Sequence, residues 1–377
     1  MRHELSKRLI IFSHSLAGGG AERVIANLAN YWANKRWDIA VVTLASQNTD
    51  FYELHPAIKR VALDMMGDSE NILAGLWQNL RRVIALRRVL RQIQPDIALA
   101  VMTPANVELA LATWGLRRIQ AIGSEHVHPP QYPLRATWHT LRRWSYGRLA
   151  AVAALTRETA DWLKRHTRAQ RVAVIPNAAP WPLPSQAPQI RPDALCSTGR
   201  HLLLSAGRLD RQKGFDWLIE CFSELAKKHV DWDLVILGDG PLRTSLEHQV
   251  RTSGLERRVF LPGLVGNVGE WYELADLYVM SSRFEGFGNT LAEALAHGVA
   301  AVSFDCDTGP RDIIRHKVDG LLVPAGDIRA LTAALDRLMS DAALRQQFAK
   351  RAVEARERFS MERIAGRWEK LFDEIAQ

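Results

Sequence analysis

Twelve short apolar runs, three to six residues each, recur along this chain of 377 residues, at 9–13, 39–44, 97–101, 121–124, 152–155 and 172–175, then at 202–205, 234–237, 259–261, 277–280, 300–303 and 320–323. Runs this short and this apolar suit strands buried on both faces. Parallel strands need crossovers, and the amphipathic stretches between the runs supply them, with helices expected at about 21–35, 73–94, 156–166, 327–339, 342–358 and 361–375. The alternation predicts an α/β chain built on parallel sheets. Its only break is at residues 179–199, where five prolines sit among polar residues. The expected organisation is a first domain over 1–178, a linker over 179–199, a second domain over 200–358 and a closing helical segment over 359–377. Two domains of that size each bury a core of their own.

Composition narrows the compartment and the partners. Hydrophobic content of 47% and charged content of 24% are those of an ordinary globular protein. Cys196, Cys221 and Cys306 are odd in number and scattered. They offer neither a disulfide framework nor metal-ligand spacing, and they fit a reducing cytosol. The basic N-terminus leads into an apolar run, Leu9 to Phe12, too short for a signal peptide, and no window approaches the ~18 apolar residues of a membrane span. Net charge is +8, but residues 1–185 hold 24 Lys+Arg against 13 Asp+Glu while the remainder holds 25 against 28. The basic half calls for an anionic partner, either nucleic acid or an anionic lipid or diphosphate-bearing molecule.

Two segments of the second half carry chemistry. In Phe284-Glu285-Gly286-Phe287-Gly288-Asn289-Thr290-Leu291-Ala292-Glu293, two carboxylates flank a turn that opens a helix, read from Leu291 to His297. The first amides of such a helix lack intrahelical partners and its dipole favours an anion, so a phosphate fits there. A plainer reading makes Thr290 and Glu293 a capping box and leaves Glu285 solvated. The partner segment is Gly207-Arg208-Leu209-Asp210-Arg211-Gln212-Lys213-Gly214, a loop after an apolar run. Arg208 brings a planar fork of donors and Lys213 a compact point charge, both suited to a diphosphate. Together the loops describe a pocket for a nucleoside diphosphate bearing a sugar, which favours lipid or diphosphate over nucleic acid as the anionic partner.

These segments, with Ile175-Pro176-Asn177, Gly18-Gly19-Gly20-Ala21-Glu22-Arg23 and Asp305-Cys306-Asp307-Thr308-Gly309-Pro310-Arg311-Asp312 ahead of Gly320 to Pro324, resemble in order the retaining glycosyltransferases of family 4. The likeness spans nearly the whole chain and is nearest to bacterial enzymes of surface polysaccharides and lipid-linked glycans. It implies the GT-B fold: two Rossmann-like, doubly wound domains facing a cleft, with a C-terminal helix crossing back to the first. It also implies transfer of a hexose or N-acetylhexosamine from a nucleotide sugar, a UDP-sugar above all, with retention of configuration. Glu285 would hold donor-sugar hydroxyls and Glu293 the ribose. Arg208, Lys213 and the amides of Gly288, Asn289, Thr290 and Leu291 would hold the diphosphate, with Gly286, Phe287 and Asn177 lining the donor. No metal or other cofactor is expected. The acceptor would be a glycan on a polyprenyl diphosphate, used by a peripheral enzyme on the cytoplasmic face of the inner membrane. A soluble acceptor, or binding of a nucleotide sugar or polyanion without turnover, are the alternatives.

The remaining candidates are weaker in the residues themselves. Gly19 and Gly20 follow the first strand and open a helix, allowing close backbone approach to a phosphate or sugar, although they lack a dinucleotide fingerprint or the P-loop Lys. The resemblance places this loop beneath the donor diphosphate. His126 ends a strand, where a histidine is more often structural; the resemblance sets it against the donor sugar and the reaction centre. Asp305-x-Asp307 invites a metal, but it leads into Gly309-Pro310 and reads as a turn. On the helix through residue 93, Arg81, Arg87, Arg88 and Arg91 face away from Val83, Leu86, Val89, Leu90 and Ile93. That face is either solvated or a contact for a diphosphate or anionic lipid, and Arg81, Arg88 and Arg91 are the acceptor candidates. The basic, aromatic stretch 138–148 either rests at a membrane interface or packs its rings inward.

Overall fold

The computed structural model describes residues 7–67, 72–131, 134, 136–195 and 199–376. The basic residues ahead of Lys7 and Cys196 lie outside them. Two compact units emerge: Met1–Asn177 with Met361–Gln377, and Ala178–Ser360.

The first unit runs β1 (Arg8–Ser13), α1 (Gly20–Asn34), β2 (Asp38–Thr43), β3 (Lys59–Ala62), α2 (Ile72–Ile93), β4 (Ile97–Val101), α3 (Thr103–Ala112), β5 (Gln120–Glu125), α4 (Ala136–Ser145), β6 (Ala151–Ala154), α5 (Arg157–His166) and β7 (Val172–Val174). The strands form one parallel sheet in the order β3-β2-β1-β4-β5-β6-β7. Leu9, Ile10, Ile11 and Phe12 of β1 are all buried, as are all five residues of β4. Both faces of the central strands are therefore covered, which is why these runs do not alternate with polar residues. β3 escaped the sequence reading because it is a four-residue edge strand, half-buried, with the polar start Lys59-Arg60. α3 escaped it for the opposite reason. Eight of its ten residues are buried, so it shows no apolar stripe.

The second unit runs β8 (His201–Ala206), α6 (Phe215–Lys228), β9 (Trp232–Leu237), α7 (Arg243–Thr252), β10 (Val259–Gly263), α8 (Val268–Leu274), β11 (Leu277–Met280), α9 (Asn289–Ala296), β12 (Ala301–Asp305), α10 (Pro310–Ile313), β13 (Gly320–Pro324), α11 (Ile328–Ser340), α12 (Ala342–Ala352) and α13 (Ala355–Arg358). Its six strands are parallel in the order β10-β9-β8-β11-β12-β13. The helix expected over 342–358 is broken between α12 and α13. The proline-rich stretch is fastened to this unit. The Gln186 amide donates to the Gly266 carbonyl at 3.1 Å, and Asn267 brackets Ile190 through both its amide and its carbonyl, at 3.1 Å each.

The last helix, α14 (Met361–Ala376), belongs to the first unit. Ile364, Trp368, Leu371 and Phe372 form its buried stripe at helical spacing. Phe372 lies 5.5 Å from Trp32 of α1, whose indole donates to Glu369 at 3.1 Å. Arg171, ahead of β7, pairs with Glu374 at 3.0 Å.

Each sheet reverses its winding at its first strand. β1 has β2 on one side and β4 on the other, and β8 has β9 and β11. In open parallel sheets the crevice outside the carboxyl ends of such strands is where ligands bind. The loops leaving β1, β4, β8 and β11 are therefore the ones to inspect.

Candidate functional site

In the second unit, the loop after β8 carries Arg208 and Lys213, and the loop after β11 carries Glu285. The two loops are clamped to one another. Ser281 Oγ donates to the Lys213 carbonyl at 2.9 Å, the Arg283 amide to the Gln212 carbonyl at 2.7 Å, and Gln212 Nε2 to the Phe284 carbonyl at 3.0 Å. Gly214 makes the close approach possible. Its φ is +63°, and a Cβ there would stand 2.2 Å from the Ser281 carbonyl oxygen. Across the clamp, Lys213 Nζ and Glu285 Oε1 meet at 2.6 Å, and Ser282 Oγ donates to the same oxygen at 2.7 Å. The Glu285 side chain is buried and that of Lys213 nearly so. Glu285 is thus not the solvated surface carboxylate of the plainer reading.

This pairing changes the electrostatics expected of the loop. Lys213 and Glu285 neutralise each other in place, and a buried pair is costly to split because the partner left behind keeps its charge in a poorly solvated site. Arg208, by contrast, is exposed and its side chain has no partner among the described residues. Its charge is thus uncompensated within the loop, as is that of the exposed Arg211.

α9 opens at Asn289, two residues earlier than its sequence suggested, with Gly288 as N-cap and no side-chain cap. The capping-box reading fails here because Thr290 Oγ1 is turned into the unit. It accepts from Tyr278 Oη at 2.7 Å and donates to the Ala206 carbonyl at 3.3 Å. Of the four residues expected to offer amides, Leu291 already spends its own on the Gly288 carbonyl at 3.0 Å. Leu291 and Phe287 have buried side chains, Phe287 edge-on to Phe359 at 5.5 Å. What these two offer a ligand comes from their backbone. Glu293 is buried and accepts from Tyr272 Oη at 3.2 Å. Tyr272 and Tyr278 were not legible in the sequence, since each meets this turn through a contact distant in sequence, and Ser282 because its bond to Glu285, three residues on, depends on how the loop bends. Thr308 Oγ1 donates to the Glu285 carbonyl, so the segment after β12 supports the same turn. Within that segment, Asp305 Oδ1 is engaged by Arg311 Nε at 2.8 Å. Among the described residues, no group of three His, Cys, Asp or Glu side chains is placed to hold a metal ion.

In the first unit, Gly18 and Gly19 end the loop between β1 and α1, and Gly20 is the first residue of α1. Tyr52 Oη donates to the Gly19 carbonyl at 3.1 Å, and Ser15 Oγ donates to Glu22 Oε1 at 3.1 Å. Glu22, in the first turn of α1, folds back over Gly19. His14, one residue past β1, bonds through Nε2 to the buried Glu108 of α3 at 3.0 Å. Neither residue had drawn notice in the sequence.

His126 follows β5, with Nε2 3.0 Å from Ser124 Oγ. Desolvation pulls its imidazole down from the ordinary 6.5 to about 4, so it is neutral near pH 7. A neutral imidazole offers one donor and one acceptor, not a fixed cation. Behind it Glu125 is buried, accepting both contacts from Thr103 Oγ1 at 2.8 and 3.0 Å and one from Tyr146 Oη. Burial raises the Glu125 carboxyl above its ordinary range, opposed by the charge of Arg142 and by these hydrogen bonds. Asn106 ties the network to the strand, donating to the Ser124 carbonyl and to Tyr146 at 3.0 Å each. The network fixes the strand end from which His126 projects. Asn177, where the chain leaves the first unit for the second, is buried.

The structure thus groups Arg208, Lys213, Glu285, the turn 286–291 and Glu293 in the second unit, and Gly19, Gly20 and His126 at carboxyl strand ends of the first. Arg81, Arg88 and Arg91 are on the exposed side of α2, apart from those strand ends. Arg87 leaves their group, because its Nη1 donates to the carbonyls of Ala112 and Trp114 at 2.7 Å each.

Comparison with known proteins extends this picture. Residues 186–355 match the family described as Glycosyl transferases group 1, and residues 18–180 the one described as Glycosyltransferase Family 4. An exopolysaccharide phosphotransferase of Streptomyces coelicolor is 35% identical over 95% of this chain, which spans 39% of that relative's length. A Campylobacter jejuni α-1,4-N-acetyl-D-galactosaminyltransferase, named for an undecaprenol diphosphate-linked glycan, is 28% identical over 96% of this chain and 97% of its own. A lipopolysaccharide core biosynthesis mannosyltransferase of Rhizobium leguminosarum is 30% identical over 67% of this chain and 75% of its own. Among solved structures, sucrose-phosphate synthase of Thermosynechococcus elongatus superposes with a TM-score of 0.81 at 20% identity, over 98% of this chain and 99% of its own. HepE of Anabaena in complex with UDP does so with 0.76 at 18%, over 97% and 100%. Both share the fold.

Proposed function

This chain belongs to the family 4, group 1 glycosyltransferases of the GT-B fold, and from that premise we propose that it moves a hexose or N-acetylhexosamine from a UDP-sugar to a growing glycan on a polyprenyl diphosphate. It works on bacterial surface polysaccharide or lipid-linked glycan, at the cytoplasmic face of the inner membrane. The observation that carries the donor half is the clamp at the β8/β11 reversal. It holds a fixed cation, an ion pair and the start of α9 on adjoining strand ends. The nucleotide-diphosphate moiety suits Arg208 and the amides opening α9. Glu285 and Glu293, both buried and hydrogen-bonded, suit hydroxyls of the donor sugar and the ribose. The acceptor half rests on the relatives' names and on the basic first unit.

In the proposed reaction the bond from the anomeric carbon to the β-phosphate oxygen breaks as the acceptor hydroxyl oxygen attacks from the same face. The hydroxyl proton passes to the departing phosphate oxygen, so configuration is retained and no protein nucleophile is consumed. Negative charge grows on the diphosphate, where Arg208 and the α9 amides lower the barrier. Lys213 adds to this when its pairing with Glu285 loosens toward the bound donor. His126, neutral, positions the sugar at the reacting carbon. Fixed cations and helix amides take the place a divalent ion would fill, so turnover is independent of metal.

A panel of nucleotide sugars, each incubated with and without chelator and assayed for thermal shift and hydrolysis, tests the donor half. A UDP-sugar that stabilises the chain and is hydrolysed in chelator is the expected result. Abolition of hydrolysis by chelator, with rescue by manganese or magnesium, would instead make Asp305 and Asp307 ligands.

A further inference from the structure

α2 is apolar on two sides. Leu86 and Leu90 are buried, with Val83, Val89 and Ile93 packed on the same core. Opposite them Leu76 and Trp77 are 62% exposed, Leu80 48% and Ile84 40%. At 100° per residue these four fall within one arc of about 100°, and Arg81, Arg88 and Arg91 continue it. A row of large exposed apolar side chains has no reason to persist on a helix that already has a buried stripe, unless something covers it.

The face does not end with the helix. Arg87 lies on it and bonds the Trp114 carbonyl, bringing the 62%-exposed Trp114 alongside. Arg148 stacks on Trp114 at 4.2 Å and donates to the Trp144 carbonyl at 3.5 Å; Arg168 stacks on Trp144, itself 49% exposed, at 3.2 Å. Trp114 and Trp144 are thus each paired with a guanidinium. α2 contains five arginines and no acidic residue, and α4 contains none either.

We propose that this face of the first unit docks on an anionic lipid bilayer. Trp77, Leu80 and Ile84 would enter the boundary between headgroups and acyl chains, with Arg81, Arg88 and Arg91 at the lipid phosphates. The chemistry matches what an interfacial helix needs: bulky apolar side chains, Trp at headgroup depth, and cations whose long stems reach the phosphates. Charge complementarity selects the occupant, because a second copy of this face would bring arginines against arginines. The inference gains its purpose from the lipid-linked acceptor proposed above, but its observations are independent of it.

Co-sedimentation of the full chain with phosphatidylglycerol-containing vesicles, against pure phosphatidylcholine, is the test. No sugar or acceptor is present. The chain should bind the anionic vesicles at least about tenfold more tightly, each basic residue at the surface adding to the attraction. Trp77→Ser with Leu80→Ser should lose that binding about tenfold or more, with an unchanged thermal midpoint and unchanged donor hydrolysis. Failure of the parent chain to bind anionic vesicles overturns the proposal, as does undiminished binding by the double variant. So does self-association of the parent in the absence of lipid that the double variant abolishes, since the face would then belong to a second copy. If vesicle binding holds but no lipid-linked glycan accepts sugar, the acceptor reading fails and the docking face stands. If a detergent-dispersed polyprenyl diphosphate glycan is used normally while vesicles are ignored, the reverse follows.

Discussion

Arg208 and Lys213 read alike in the sequence, two cations on one loop, yet their surroundings make their variants behave differently. Arg208→Ala removes an exposed cation and leaves no buried charge behind. Turnover should fall about a hundredfold or more, on the order of 3 kcal/mol of lost transition-state stabilisation, with the thermal midpoint unchanged. Lys213→Ala leaves Glu285 without its 2.6 Å partner. It should also destabilise the second unit, by about 3 kcal/mol or more, visible as a lower denaturant midpoint. Equal stability of the two variants would contradict the pairing. The E-x7-E spacing showed which carboxylates to watch. That Glu285 meets Lys213 was not legible, because it depends on β8 and β11 lying side by side. His126 carries the pH prediction. Its folded value, about 4, is below the ordinary 6.5, so between those values the unfolded chain binds a proton that the folded chain does not. Stability contributed by the neutral imidazole is complete above about 6.5 and declines as pH falls toward 4, by at most about 3 kcal/mol. An imidazole NMR titration should show His126 neutral throughout the range above pH 5; a midpoint near 6.5 would contradict the burial.

Elements with a continuous apolar run or a one-sided apolar stripe were the ones visible in advance. β1, β4, α1 and α14 announced themselves by apolar runs or stripes, whereas α3, buried nearly all round, and β3, a short polar edge, gave no period to read. The loop clamp was half legible: glycines marked its bends, but its hydrogen bonds join residues about seventy positions apart. Gly214→Ala tests it at this scale. A methyl 2.2 Å from the Ser281 carbonyl must push the two loops apart, so donor binding should weaken while the cores stay folded. α14 is testable too. Trp368→Ala opens a cavity against the first unit and should cost about 3–5 kcal/mol, measured by denaturant unfolding. A cost below about 1 kcal/mol would mean that the helix is an appendage.

At the scale of the whole molecule, charge is divided between the units as unevenly as chemistry is. The basic half carries the exposed arginines of α2, and the second unit carries the Lys213–Glu285 pair and the buried Glu293 beside the turn that opens α9. Sequence foresaw this division because net charge is a sum and needs no geometry. It did not foresee that Arg87 and Arg82 are bonded to backbone carbonyls, while Arg81, Arg88 and Arg91, the acceptor candidates read from the sequence, are exposed. Replacing those three with Gln should raise the apparent KM for a lipid-diphosphate acceptor and flatten its salt dependence, since exposed charges are screened over ~8 Å at physiological ionic strength. An equal loss with an uncharged soluble acceptor would point to damage of the fold. The central claim, sugar transfer from a UDP-sugar through the clamped site of the second unit, is tested most directly by one measurement. Radiolabelled UDP-sugars are incubated, in chelator, with polyprenyl diphosphate-linked glycan, and label entering the lipid phase is counted for the parent chain and for Arg208→Ala. The account predicts label in the lipid phase with matching release of UDP, and at least about a hundredfold less with Arg208→Ala. No transfer from any UDP-sugar, or transfer undiminished in Arg208→Ala, would contradict it.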